Sequence, residues 1–325
     1  MTLSADDREL LFTLQFWGTK PLAELADRME LKESTLRSKI ARWESAGVIA
    51  QRVFIDTFLV GATEMEVFFS PAKSTKSVHA QLTKAVMKAP GVRWFYRTAG
   101  KHEFIVGIAA LHINQLLKHL EDLDREASGI FFGKEMGTSI GYWWFGRKYL
   151  GTDGAKHTEC LQSVPTKKRV EIDDTDHRIL RILGQQGAQS LRLVAQQLDI
   201  PQSTVGYRVN ALVSNGVIVG FPYILSSAWL GMHVFRLQLT LTTFAHDVHA
   251  DLLKWCKQNS SVVSMMRLLG GWDYTLRCEV SNTEDIAALT DKIHDRFGHV
   301  LSECSVVSVL KELTFNYYPI ERLGE

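Results

Sequence analysis

The sequence predicts an α+β fold made of two tandem units. Residues 22–49, LAELADRMELKESTLRSKIARWESAGVI, superpose without a gap on residues 191–218, LRLVAQQLDIPQSTVGYRVNALVSNGVI, at an offset of 169. Each copy places apolar residues at helical spacing, and each is followed by the same order of strand, helix, strand, strand, helix, strand. Internal repetition of this kind decides the architecture before any single motif does.

Taken in order, Leu10, Leu11 and Leu14 form the stripe of an opening helix over Asp6 to Phe16, behind acids that suit a helix start. Ile179, Leu180 and Leu183 repeat that stripe, with Asp173 or Asp174 as a cap. A second helix carries Leu22, Leu25, Ala26 and Met29, or Leu191, Val194, Ala195 and Leu198. The third carries Leu36, Ile40 and Trp43, or Val205, Val209 and Leu212, and stops at Gly47 or Gly216, residues suited to a left-handed helix end. Val48 to Val60 and Val217 to Leu230 then read as a wing and connector.

Beyond each three-helix module lies the split βαβ pattern. In the first unit it runs through strands at Met65–Phe69, Val92–Thr98, Phe104–Ile108 and Ile140–Phe145, with helices at Val78–Met87 and His112–Leu123. In the second, the strands are His233–Leu241, Val262–Leu269, Tyr274–Val280 and Val306–Phe315, with helices at Val248–Cys256 and Ile286–Ile293. That order is a ferredoxin-like βαββαβ domain, in which helices cover one sheet face and the other face needs a partner. A fused second copy supplies one. The expected divisions are 1–60 and 171–230 for the winged helix-turn-helix modules, 61–150 and 231–325 for the ferredoxin-like domains, and 151–170 for a linker.

Composition excludes little but points away from several classes. At 46% hydrophobic and 22% charged the 325 residues are ordinary for a globular protein, and a net charge of +1 offers no global argument for nucleic acid. Apolar runs fall short of the roughly 18 residues of a membrane span, and Met1 to Arg8 is acidic where a signal peptide would be basic, so a cytoplasmic protein away from membranes is expected. Cys160, Cys256, Cys278 and Cys304 lack metal or disulfide spacing. His246 and His249 stand one helical turn apart without a third ligand and read as a solvated helix start. No phosphate loop, dinucleotide fingerprint, HExxH or GxSxG is present; no cofactor and no enzyme activity are expected.

These residues resemble the Lrp/AsnC family, the feast-or-famine transcription regulators. The resemblance rests on Ser203-Thr204-Val205, Arg208-Val209, Leu212 and Gly216 through Phe221 to Leu230-Gly231, and on Gly270-Gly271-Trp272-Asp273-Tyr274, similar to the family's G-x-x-D-Y turn, with Gly100 to Phe104 as its first-unit counterpart. It implies a helix-turn-helix followed by an effector-binding, ACT-like (RAM) ferredoxin-like domain. It also implies double-stranded DNA and a small-molecule effector such as an amino acid as partners, and pairing of chains into a dimer or larger assembly. The chain departs from the family in holding two units, in placing Lys32 and Pro201 where a capping serine is usual, and in carrying Glu103 for the turn aspartate.

With Leu36, Ile40 and Trp43 inward, a 100° advance per residue turns Ser34, Ser38 and Arg42 outward, flanked by Thr35, Arg37 and Lys39. Arg42 is the base-reading candidate, since arginine grips guanine with two hydrogen bonds worth ~1–3 kcal/mol of discrimination. The second copy presents Ser203, Tyr207 and Asn210, flanked by Thr204 and Arg208, and Gly206 weakens it by roughly 1 kcal/mol relative to alanine. The first copy is therefore expected to hold DNA more strongly, unless Glu30, Glu33 and Glu44 merely pair its cations on a solvated face. For the effector, Arg97, Gly100 and Glu103, and Arg267, Gly270, Gly271 and Asp273, offer an arginine beside glycine amides that suit a carboxylate, although a plain hairpin turn explains the same spacing. An alternative is a tandem sirohaem-decarboxylase-like enzyme on the same plan, with Trp94, Tyr96, Arg97 and His102 lining a pocket, although the arginine-rich wing of such enzymes is missing. A third is an interaction module whose helix-turn-helix units no longer bind DNA.

Overall fold

The computed structural model describes residues 3–18, 20–127, 132–151, 159–166, 168–188, 190–243 and 246–320. The first module consists of α1 (Ala5–Trp17), α2 (Leu22–Arg28) and α3 (Glu33–Ser45), followed by β1 (Ile49–Gln51) and β2 (Phe54–Ile55). Its ferredoxin-like domain runs β3 (Thr63–Ser70), α4 (Lys76–Lys88), β4 (Val92–Ala99), β5 (Phe104–Ala110), α5 (Ile113–Glu126) and β6 (Phe132–Trp144). After β7 (Leu161–Ser163), the second unit repeats the order as α6 (Asp174–Gln186), α7 (Leu191–Leu198), α8 (Gln202–Ser214), β8 (Ile218–Gly220), β9 (Tyr223–Leu225), β10 (His233–Leu241), α9 (His246–Gln258), β11 (Val262–Gly270), β12 (Tyr274–Val280), α10 (Asp285–Phe297) and β13 (Leu301–Phe315).

Helix ends follow their local chemistry. Asp173 caps α6 and forms a reciprocal capping box with Asp176. Lys32 and Pro201 stand at the starts of α3 and α8 without a side-chain cap. Gly47 and Gly216 take φ of +67° and +78° just beyond those helices, the conformation that lets each chain turn into its wing.

Two features differ from the linear reading. The wings are not closed within their own modules: β1 pairs with β9, and β2 with β8, so each module borrows a strand from the other. Tyr223 and Leu225 thereby join the core of the first module, and Val53 and Ile55 join that of the second. The segment expected as a linker, 151–170, is also partly a sheet strand, because β7 pairs with β6; residues 152–158 and 167 lie outside the described residues.

The ferredoxin-like halves meet edge to edge. Strands run β11, β12, β10, β13, β4, β5, β3, β6, and a further β6–β11 pairing closes these eight antiparallel strands into a ring. Closure satisfies edge groups that an open sheet would leave exposed. The helices pack outside over two cores, one with Phe69, Phe95 and Phe104, the other with Met265, Leu276 and Ile293. Inside the ring, Phe68, Trp94, Tyr96, Met266, Leu268 and Trp272 form a separate cluster.

Candidate nucleic-acid interface and the ring interior

Leu36, Ile40 and Trp43 are buried at 0%, 5% and 1% exposure, which leaves the opposite face of α3 in solvent. Ser34, Thr35, Arg37, Ser38 and Arg42 are exposed there, as the helical spacing requires. Their electrostatic states differ. Arg37 donates to Glu33 one turn earlier, with Nε 2.8 Å from Oε1, and Lys39 reaches Asp7 at 2.5 Å and lies over the Trp43 ring. Among the described residues, Arg42 makes no ion pair. It is the outward cation on this helix that is free to meet a phosphate or a base.

On α8, Ser203, Tyr207 and Asn210 are exposed and Thr204 is half-buried. Tyr207 projects furthest, at 77% exposure. Arg208 is held at the start of α6 by both acids of the capping box, 2.7 Å from Asp173 and 3.0 Å from Asp176. Against the penalty of burial, the Asp176 amide and Arg208 hold the Asp173 carboxyl below its ordinary range. The cation that the spacing assigns to DNA is thus committed to the module's own packing.

The two glycine turns lie at the joints of the ring. Gly270, at φ +152°, pairs with Gly137 of β6, and a Cβ there would stand 2.3 Å from the Met136 carbonyl oxygen. The Gly271 amide donates to that same oxygen at 3.0 Å, so it is not open to a carboxylate. Asp273 accepts the Leu241 amide at 2.7 Å. Gly100, at φ +130°, similarly lies beside β13. Arg97 stacks on Phe104 and lies 2.9 Å from His79 Nδ1, while His79 Nε2 lies 2.8 Å from Glu103. The second half repeats this with Arg267 over Tyr274 and Tyr274 Oη 3.3 Å from His249 Nδ1. His249 therefore faces the sheet rather than solvent; the His246 side chain lies outside the described residues.

Strand alternation separates the four residues grouped for a tetrapyrrole. Trp94 and Tyr96 point into the ring, whereas Arg97 points out beneath α4. His102 is buried, 3.1 Å from Glu135.

The ring interior holds charges that the linear reading missed. Glu66 and Arg236 pair at 2.8 Å, both buried, and Arg147 and Arg277 both reach Glu279, at 2.9 and 3.1 Å. Burial alone would raise the Glu279 carboxyl, but Arg147 and Arg277, with bonds from Tyr149 and Ser227, hold it at about 2. A signal for the first pair was present: Gly61 aligns with Gly231, which sets Glu66 opposite Arg236 as equivalent positions of opposite charge inside apolar strands.

A family model described as winged helix-turn-helix DNA-binding matches residues 172–219. Over 72 residues the chain is 36% identical to the uncharacterized HTH-type transcriptional regulator PH0140 of Pyrococcus horikoshii, covering 22% of this chain and 46% of that relative, about half its length. Over 127 residues it is 27% identical to the HTH-type transcriptional regulator FL11 of Pyrococcus abyssi, covering 38% of this chain and 82% of that one. The crystal structure of the sirohaem decarboxylase NirDL superposes on 96% of this chain and 93% of its own with a TM-score of 0.60 at 13% identity, a likeness of fold alone. The chain thus holds two helix-turn-helix modules, the second of them matched by that winged helix-turn-helix model, and each leads through a wing into a ferredoxin-like domain.

Proposed function

We propose that this protein is a transcription regulator that reads double-stranded DNA with α3 and uses α8 for a second, weaker half-site. The observation that carries the reading is the outward face of α3, where Arg42 stands exposed beside Ser34, Thr35 and Ser38 and, among the described residues, makes no ion pair, in a module whose helices pack over one apolar core. A helix in the major groove reads bases with such residues while flanking cations hold phosphates. Arg37 and Lys39 exchange their present partners for phosphates, and Ser203, Thr204, Tyr207 and Asn210 supply the second contact with little help from Arg208. Names of relatives support the same reading. Selection of bound duplexes from a random library is the test: an enriched, asymmetric site is expected, and recovery of no common sequence would contradict the proposal.

Small-molecule control is the finer part of the reading. Gly100, Gly270, Gly271 and Asp273 serve the joints of the ring, and Arg97, Glu103 and Arg267 belong to the outer groove under the helices. Pairing of two chains is supported by Met87, Ile113 and Leu117, exposed at 55%, 58% and 54% on the outer helices α4 and α5. Light scattering of the full chain checks it, with a dimer or larger species expected. The four residues named for the enzyme alternative, Trp94, Tyr96, Arg97 and His102, do not line one face.

A further inference from the structure

Between the ring and the cross-paired wings lies a cavity of about 570 Å3. Its floor is the ring interior, with Trp94, Tyr96 and Met266, and its roof is the wing pair, where Ile49 faces Leu225 and Ala50 faces Ile224. Glu44 and Gly47, at the end of α3, line its edge, with exposed Phe315. The space therefore touches the ring, both wings and the DNA-reading helix together.

Its walls state what would fit. Trp94 stacks on Tyr96 with ring centres 5.1 Å apart, and Tyr142 on Phe54 at 6.0 Å, which sets flat apolar surfaces around the space. Arg236 lies 5.2 Å from the Trp94 ring centre at 5% exposure, and after its bond to Glu66 its Nε has no partner. That Nε is sealed from the space, but the Arg236 side chain lines it and commits one N–H to Glu66, which leaves guanidinium donors for an anionic occupant. Arg52, on the connection between the wing strands, also lines the space and makes no ion pair among the described residues. Arg93, Arg147 and Arg277, by contrast, are matched by Glu64, Glu279 and Glu312. The remaining unbonded oxygen of Glu66 borders a separate space of only about 10 Å3. Glu44, on the edge of the larger cavity, also makes no ion pair among the described residues, so the demand is local: Arg52 and the free edge of Arg236, beside flat apolar walls, suit an anion attached to a flat apolar body. The cavity's volume matches that of small-molecule sites, roughly 300–1,000 Å3.

We infer that the cavity between the ring and the wings is the ligand site of this protein and takes a planar aromatic carboxylic acid, its carboxylate on Arg52 and Arg236 and its ring against Trp94 and Tyr96. Control of DNA binding by that ligand rests on the regulatory reading above; the site itself does not. A molecule seated there fixes the wing pair to the ring, and with it the end of α3 that the wing continues.

The test uses the full chain and two dyes that share a skeleton, anionic 8-anilinonaphthalene-1-sulfonate and neutral N-phenyl-1-naphthylamine, followed by energy transfer from tryptophan. Saturable binding of the anionic dye is expected, displaced by indole-3-acetate and much less by indole-3-acetamide. Arg52→Ala, at a half-buried residue outside the cores, should weaken the anionic dye by about fivefold or more and the neutral dye by less than about twofold. Met266→Trp should fill the space and remove both. If Met266→Trp lowers the melting temperature sharply, the Arg52→Ala comparison alone decides. Equal weakening of both dyes by Arg52→Ala, equal displacement by acid and amide, or no saturable binding would overturn the site. Loss of dye binding with intact DNA selection sinks the cavity alone, and the reverse outcome sinks the regulatory reading alone.

Discussion

Arg42 and Arg208 occupy comparable faces of repeated helices, yet one is free and the other is gripped by two carboxylates. The helical stripe that exposes both was legible, because Leu36, Ile40 and Trp43, like Val205, Val209 and Leu212, announce which face is buried. The grip was not legible, since Asp173 lies 35 residues from Arg208 and only packing of α6 on α8 brings them together. Arg42→Ala is accordingly expected to weaken DNA binding by about 1–3 kcal/mol, against a smaller effect for Arg208→Ala, measured by fluorescence anisotropy on the selected duplex. Glu279 gives a pH prediction. Its folded value of about 2 lies below the ordinary 4.5, so its contribution is complete above about 4.5 and is lost as pH falls toward 2. Denaturant midpoints across that window should drop in the wild type and drop less in Glu279→Gln.

At the level of elements, the strands and helices of both ferredoxin-like domains fall where periodicity puts them, while β6 and β13 extend beyond their apolar cores. β6 begins at Phe132 rather than Ile140 because pairing with β3 carries it past the hydrophobic run. Exchange of wing strands leaves no trace in a linear pattern: Ile49 and Leu225 look the same whichever partner they have. The returning segment after β13 is another long-range device, in which the Tyr317 amide donates to Gly184 of α6 at 3.0 Å and Tyr318 Oη meets His177 at 2.8 Å. A methyl at Gly184 would stand 2.5 Å from the Tyr318 nitrogen. Gly184→Ala should therefore destabilise the protein by about 1–3 kcal/mol despite alanine's better helix propensity, as a fall in melting temperature.

For the whole molecule, borrowed wing strands and a ring closed by β4–β13 and β6–β11 make each unit incomplete without the other. A fragment of residues 1–150 carries both the β4 and β6 edges unpaired, and it should self-associate into a dimer that rebuilds the ring; a stable monomer by light scattering would contradict this. Among the described residues, no helix is long and apolar enough to cross a membrane. The two-unit plan was readable because the repeat superposes over 28 residues without a gap, and the need of each sheet for a second followed from its one-sided helices. The closed ring was hidden, since its β4–β13 and β6–β11 joints link strands far apart in sequence, and the Glu66–Arg236 pair showed only as opposite charges at equivalent positions 170 residues apart.

The central claim is that α3 meets DNA through its unpaired arginine. The most direct measurement is the salt dependence of affinity for the selected duplex, wild type against Arg42→Ala. Loss of one phosphate or base-edge cation should lower affinity and, where Arg42 neutralises a phosphate, reduce the slope of log affinity against log salt by about one. Unchanged affinity together with an unchanged slope would show that α3 does not face the nucleic acid.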